Sequence, residues 1–169
     1  MTYHAPVDDI MRALKSAAGL DDLIARGIVK VDEETLKAVV EEAGRFGAEV
    51  LDPLNWPGDR AGSRLVDGRV VTPDGWKEAY RAFVDGGWGA LPCPEAFGGQ
   101  GLPEVASMAV CEIWNAANLS FGLCPLLTQG AISALLAQGS ESLKARYLPR
   151  MVTGAWTGTM NLTEPHAGS

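Results

Sequence analysis

The sequence predicts an all-α fold. A helical bundle occupies residues 32–154, an N-terminal extension with one short helix precedes it (1–31), and a β-strand begins at the C-terminal end (155–169). Three observations carry this reading. Apolar residues recur at helical spacing behind capping residues, most plainly where Asp32 precedes Leu36, Val39, Val40, Ala43, Phe46 and Val50. No charge falls between Glu112 and Glu141, so that stretch belongs inside something. After Gly154 the chain turns rich in Trp, Thr and small residues in loose alternation, the pattern of a strand.

The elements follow in order. Val7 to Ala18 forms the short helix, with Asp8 able to cap it, Ile10, Leu14 and Ala17 on one side and Gly19 ending it. A flexible connection then runs through Gly27. In the helix after Asp32, Glu33 and Glu34 favour the positive end of the helix dipole. From Asp52 to Thr72, Pro53, Pro57, Gly58, Gly62 and Gly68 predict a long loop with one short strand at Arg69–Val71. Thr72 and Pro73 open the next helix, whose stripe of Trp76, Tyr80, Phe83 and Val84 reads as core and stops at Gly86 and Gly87.

Pro103 begins a helix to Asn118 with Val105, Met108, Ala109, Ile113 and Ala116 facing inward. Ser120 to Gln138 makes a second helix, apolar nearly all round and therefore central to the bundle. Gly139 and Ser140 supply a stop and a cap. The helix from Glu141 to Met151 carries Leu143, Tyr147 and Met151, and Pro149 kinks or shortens it.

Composition narrows the function. The chain has 169 residues, 47% of them hydrophobic, and a formal charge of 14 − 21 = −7, which describes one soluble globular domain. At this length roughly 70% of the unfolded surface is buried on folding, so no disulfide framework is required. Cys93, Cys111 and Cys124 are odd in number and too widely spaced for a zinc or redox motif, and the two histidines, His4 and His166, stand at opposite ends. The acidic balance argues against nucleic acid, which requires clustered Lys and Arg. Met1 to Asp9 carries two acids and no basic residue, unlike a secretory signal, so the expected compartment is the cytoplasm. Ile113 to Ser140 is the one stretch resembling a membrane span. Asn115, Asn118, Ser120, Thr128, Gln129, Ser133 and Gln138, with Pro125 and three glycines, are spread through it and argue for buried soluble helices.

Two local motifs tempt a chemical reading. Phe97-Gly98-Gly99-Gln100-Gly101-Leu102 is glycine-rich, but it lacks the preceding strand and the residue offsets of a phosphate loop and reads as a sharp turn. Glu164 lies before Pro165 and beside His166, where a turn-capping acid and an exposed turn histidine are the ordinary outcomes. The lone strand at the end leaves its backbone groups unpaired, so further polypeptide is expected downstream.

The combination says more than its parts. Pro94-Glu95-Ala96-Phe97-Gly98-Gly99-Gln100-Gly101, then Tyr147-Leu148-Pro149 with Gly154 behind it, then Leu162-Thr163-Glu164-Pro165-His166-Ala167-Gly168-Ser169 resembles the ordered signature of the acyl-CoA dehydrogenase family. Tyr3, Ala5, Pro6, Asp9 and the insert with Pro53, Leu54, Gly58 and Asp59 are similar to its branch with an extended N-terminus. The resemblance implies the N-terminal helical bundle of that fold, followed by the first strand of a β-domain. It implies FAD as cofactor, met by the backbone at Met160 and Leu162, by the Thr163 hydroxyl and by Ser169, the last also contacting an acyl-CoA substrate. The implied reaction is α,β-dehydrogenation of the thioester. Ser120–Gln138 and the Gly98–Leu102 turn would lie nearest the acyl chain. The family's catalytic glutamate belongs to a later portion, so none of residues 1–169 is expected to be catalytic, Glu164 included, and this portion alone is expected to be inactive. An electron-transfer flavoprotein as electron acceptor and a homodimer or homotetramer are implied likewise. The alternative is a non-catalytic helical assembly or binding module that keeps the bundle.

Overall fold

The computed structural model describes residues 2–161 together with 165 and 166. Seven helices and one hairpin build the described part: α1 (Val7–Ser16), α2 (Leu20–Ala25), α3 (Glu33–Phe46), α4 (Asp52–Ala61), β1 (Arg64–Val66), β2 (Arg69–Val71), α5 (Trp76–Asp85), α6 (Glu104–Gln138) and α7 (Glu141–Val152). The helical bundle is as expected. Asp32 caps α3 by accepting the Thr35 backbone N–H at 2.7 Å, and Ser140 caps α7 through the Leu143 N–H at 3.3 Å.

The stretch expected as a loop is the first departure. Instead of ending, α3 passes through a π-turn at Gly47–Leu51 and continues as α4, and the hairpin follows. Pro53 sits in the first turn of α4, directly after the π-turn. Pro57 lies inside α4, and the next residue, Gly58, leaves room for the Trp76 indole: a Cβ there would stand 2.8 Å from Nε1. The hairpin turns at Asp67-Gly68, both at positive φ (48° and 73°), the backbone that joins two antiparallel strands most tightly. The flexible connection after α1 contains α2, and α5 begins at Trp76, after Gly75, and not at Thr72.

The buried faces also shift. In the first half of α6 the packed residues are Ala106, Ala109, Val110, Ile113, Trp114 and Ala117, whereas Met108 and Ala116 are exposed. In α7, Leu148, Met151 and Val152 are buried and Leu143 is exposed; the helix runs three residues past Pro149. The expectation that 120–138 is enclosed on all sides fails: Leu123 and Leu126 are 51% and 52% exposed and, with Leu119 just before the segment (60%), form a stripe along one face. By length and composition α6 is long and apolar enough to cross a membrane.

What divides α6 is Asn118. Its backbone is non-helical (φ −159°, ψ 89°), and its side chain is buried and doubly used. Nδ2 donates to the Leu51 carbonyl at the end of the π-turn (3.1 Å), and Oδ1 accepts the Phe121 N–H (3.1 Å). Asn118 thus caps the second half of α6 from within and ties the kink to α4.

Two cores result. The larger is aromatic: the Phe83 ring stands 5.1 Å from Trp114 and 5.8 Å from Phe121, and Trp88 meets Trp114 edge-on at 5.4 Å. The smaller sits under α7, where Ile132, Leu148, Met151 and Val152 enclose Ala90 and Cys93. The strand expected at 155–162 does not form across 155–161, because no second strand lies beside it among the described residues to complete a ladder. The Trp156 N–H bonds the Arg150 carbonyl (3.0 Å) and the Gly158 N–H bonds Thr128 Oγ1 (3.1 Å).

Phe83 sits at the centre of the aromatic core. Phe83→Ala is expected to cost about 3–5 kcal/mol of unfolding free energy, read from urea unfolding followed by tryptophan fluorescence.

Candidate functional site

Between the 88–93 segment and the two halves of α6 runs a groove of 290 Å³. Trp88 and Trp114 line it, together with Gly122, Pro125 and Leu126 of the second half of α6 and, further along the same helix, Gln129 and Ser133. Gly122 lets the Asn115 side chain lie close: a Cβ there would meet Asn115 Oδ1 and oblige that amide to move. Gln129 spans the groove, its Nε2 donating to the Gly89 carbonyl and its Oε1 accepting from Cys93 Sγ at 3.7 Å. Glu104 is the one carboxylate among the described residues lining it. A nearly uncharged, aromatic-floored groove suits an apolar group carried on something larger.

Cys93 and Cys111 line this groove but are poor nucleophiles. Burial pushes both thiols above their ordinary range, and the Glu104 charge pushes in the same direction. Among the described residues no group of three or more His, Cys, Asp or Glu side chains is arranged to hold a metal.

Contrary to the expectation that it lies beside the acyl chain, none of Gly98–Leu102 lines this groove, and the glycine-rich turn is a turn and not a cradle. Its amides are consumed internally: Gly99 N–H bonds Pro94 O (3.1 Å), Gln100 N–H bonds Ala90 O, Gly101 N–H bonds Cys93 O and Leu102 N–H bonds Leu91 O (each 2.9 Å). These donors are therefore not free to converge on a phosphate. Gly98 and Gly101 take positive φ, and at Gly99 a Cβ would fall 1.9 Å from the Cys93 carbonyl oxygen.

Of the sequence-predicted site residues, Met160 is described and is 63% exposed. Leu162, Thr163 and Ser169 lie outside the described residues. The chain before them is held at Gly154, Trp156 and Gly158. Tyr80 donates to the Gly154 carbonyl (3.0 Å), the Arg150 guanidinium stacks 4.6 Å over Trp156, and Thr128, itself bonded to Cys124 O (2.9 Å), receives Gly158. Asn115 and Gln129, which line the groove, and Thr128, which holds Gly158, are the positions that sequence reasoning did not single out. They registered only as polar residues in an apolar run.

Comparison with known proteins decides the family. The model for the acyl-CoA dehydrogenase N-terminal domain matches residues 33–155. The chain belongs to the acyl-CoA dehydrogenase family.

It is 51% identical over 170 residues to 3-methylmercaptopropionyl-CoA dehydrogenase of Ruegeria pomeroyi, covering 100% of this chain and 29% of that protein. It is 37% identical over 174 residues to a butyryl-CoA dehydrogenase of Syntrophomonas wolfei, covering 99% of this chain and 28% of that protein. The chain therefore spans under a third of the length of these acyl-CoA dehydrogenases. Butyryl-CoA dehydrogenase from Megasphaera elsdenii superposes with a TM-score of 0.64 at 20% identity over 79% of this chain and 33% of that one. A structure described for the electron transferring flavoprotein of Acidaminococcus fermentans gives 0.64 at 19%, over 79% of this chain and 32% of that chain. These two likenesses establish the fold. The full-chain match to the Ruegeria enzyme agrees with the resemblance to the extended-N-terminus branch.

Two glycines of this acyl-CoA dehydrogenase domain make opposite predictions. Gly99→Ala is expected to lower stability by about 2–4 kcal/mol, since backbone must move. Gly130→Ala, in a helix with nothing within 4 Å of the new Cβ, is expected to be neutral or to add up to about 1 kcal/mol. Thermal unfolding of both variants checks this.

Proposed function

We propose that this chain forms the N-terminal part of an FAD-dependent acyl-CoA dehydrogenase acting on a short acyl-CoA, with 3-methylmercaptopropionyl-CoA the first candidate. The observation that carries the reading is the apolar groove of α6 in a chain 51% identical throughout to a dehydrogenase of that substrate. The groove takes the acyl group. Its walls exclude water from the carbon atoms that lose hydrogen, and Gln129 and Ser133 offer polar contact along one side.

The residues near the chain exit suit a flavin. Thr157, Thr159, Met160 and Asn161 are exposed and belong to no β-ladder among the described residues, so backbone donors and acceptors there are free to meet the polar rim of a ring. In this reading the backbone at Met160 and Leu162 holds that rim, the Thr163 hydroxyl donates to a ring oxygen or nitrogen, and Ser169 touches both flavin and substrate. The chemistry FAD supplies is that of a two-electron acceptor, taking the β-hydrogen as hydride while a carboxylate removes the α-proton. That carboxylate belongs to a later part of the polypeptide. Tyr80, Thr128 and Arg150 act as positioning residues, fixing where the chain leaves the bundle.

The exposed stripe of Leu119, Leu123 and Leu126 supports a further element of the proposal: protein, from the rest of the polypeptide or a second subunit of a dimer or tetramer, covers α6 in a cytoplasmic enzyme that passes electrons to an electron-transfer flavoprotein.

The test is spectroscopic. The full-length protein is expected to purify with a flavin absorbance spectrum that bleaches on addition of 3-methylmercaptopropionyl-CoA. A colourless protein that takes up no FAD overturns the proposal and leaves the non-catalytic module. Thr163→Val is expected to weaken flavin binding or slow its reduction by the equivalent of about 1 kcal/mol, roughly five- to tenfold; stopped-flow absorbance checks it.

A further inference from the structure

A second cavity lies on another face of α6. It has a volume of 420 Å³, within the range of small-molecule sites, and it is walled by Trp76, Tyr80 and Phe121. The α6 residues facing it, Ser120, Phe121 and Cys124, are centred well over a quarter turn from the centre of the set Gly122, Pro125, Leu126 and Gln129 of the first groove. The two spaces share no lining residue among the described ones.

Three features of this cavity point to one kind of ligand. Lys77 and Arg81 stand one turn apart on α5 and both line it, a like-charge pair that repels itself on the helix. Neither makes an ion pair among the described residues, although the chain as a whole is acidic by seven charges. One further lining residue, Thr72, holds a buried hydroxyl, Oγ1, without a hydrogen-bond partner among the described residues, while the Trp76 Nε1 faces Gly58 of α4. An aromatic chamber with two uncompensated cations complements a molecule that is apolar along its body and anionic at one end.

We propose that this cavity binds a small amphiphilic carboxylate, its apolar body against Trp76, Tyr80 and Phe121 and its carboxylate between Lys77 and Arg81. The site is independent of the acyl groove, so it stands or falls apart from the proposed dehydrogenase activity.

The cysteines provide a built-in reporter. Cys124 lines this cavity, while Cys93 and Cys111 line the acyl groove. The experiment alkylates the full-length protein with N-ethylmaleimide across a range of octanoate concentrations and reads each cysteine by peptide mass spectrometry. Octanoate is expected to slow modification of Cys124 saturably, and octanamide, which lacks the charge, is expected not to at the same concentrations. In the double variant Lys77→Gln/Arg81→Gln, which removes two exposed contacts and leaves the core untouched, half-protection is expected to need roughly tenfold more octanoate. Protection of Cys93 or Cys111 without Cys124 would place octanoate in the acyl groove and overturn the proposal. So would a Cys124 that is unreactive or unprotected, or protection equal for octanamide or for the double variant.

Discussion

The side chain of Asn118 holds the two halves of the molecule in register. An unbroken apolar helix of 35 residues would run straight past the bundle. The amide prevents this by replacing a helical turn with two side-chain bonds, one to the Leu51 carbonyl and one to the Phe121 N–H. Because it is buried, truncating it in this arrangement removes both bonds away from water, at about 1–3 kcal/mol each. Ahead of the kink, Ile113, Trp114 and Ala117 seal the aromatic core; beyond it, Ile132 seals the second core under α7. The groove proposed to take the acyl group is lined from both, by Trp114 and Asn115 on one arm and Gly122, Pro125 and Gln129 on the other.

The same kink governs the exit of the chain. Thr128 lies ten residues beyond Asn118 and receives the Gly158 N–H, so the orientation of the second arm fixes where the following segment begins. Arg150 over Trp156 and Tyr80 on Gly154 hold that segment from α7 and α5. A structural fault in the middle of a helix is thereby linked to the place where the flavin-binding residues are proposed to stand. Rigid arms joined by a satisfied buried amide suit this task, since a misplacement of about 1 Å at reacting atoms is costly.

How much of this was legible in the sequence follows from how local each cause is. The caps Asp32 and Ser140 act within three residues, and both were readable. So was the break near Asn118, because an Asn-Leu-Ser run interrupts a helix pattern. Pro53 and Pro57 misled: they are breakers by local rule, but the π-turn and the contact of Gly58 with Trp76 carry the helix through them. Asp67-Gly68 was a readable hairpin signal whose first strand went unrecognised. The exposed stripe of α6 was not readable, since hydrophobicity says a face will be covered but not by what. The groove depends on Asn115 meeting Gly122 and on Gln129 reaching Gly89, contacts between residues 7 and 40 apart that no spacing rule reveals. Family membership, by contrast, was legible from three short motifs in order, and the matched domain confirms it.

If Asn118 sets both the core and the groove, removing its amide must disturb both. The direct test replaces it with leucine, of similar size but without the two bonds, in the full-length protein. Unfolding free energy is measured in urea alongside flavin reduction by 3-methylmercaptopropionyl-CoA. The expected result is a loss of about 2–4 kcal/mol together with slowed reduction, while Leu123→Ala, on the exposed stripe, leaves stability of the bundle nearly unchanged. An Asn118→Leu protein as stable as the parent and equally fast in reduction would contradict this role for the buried amide.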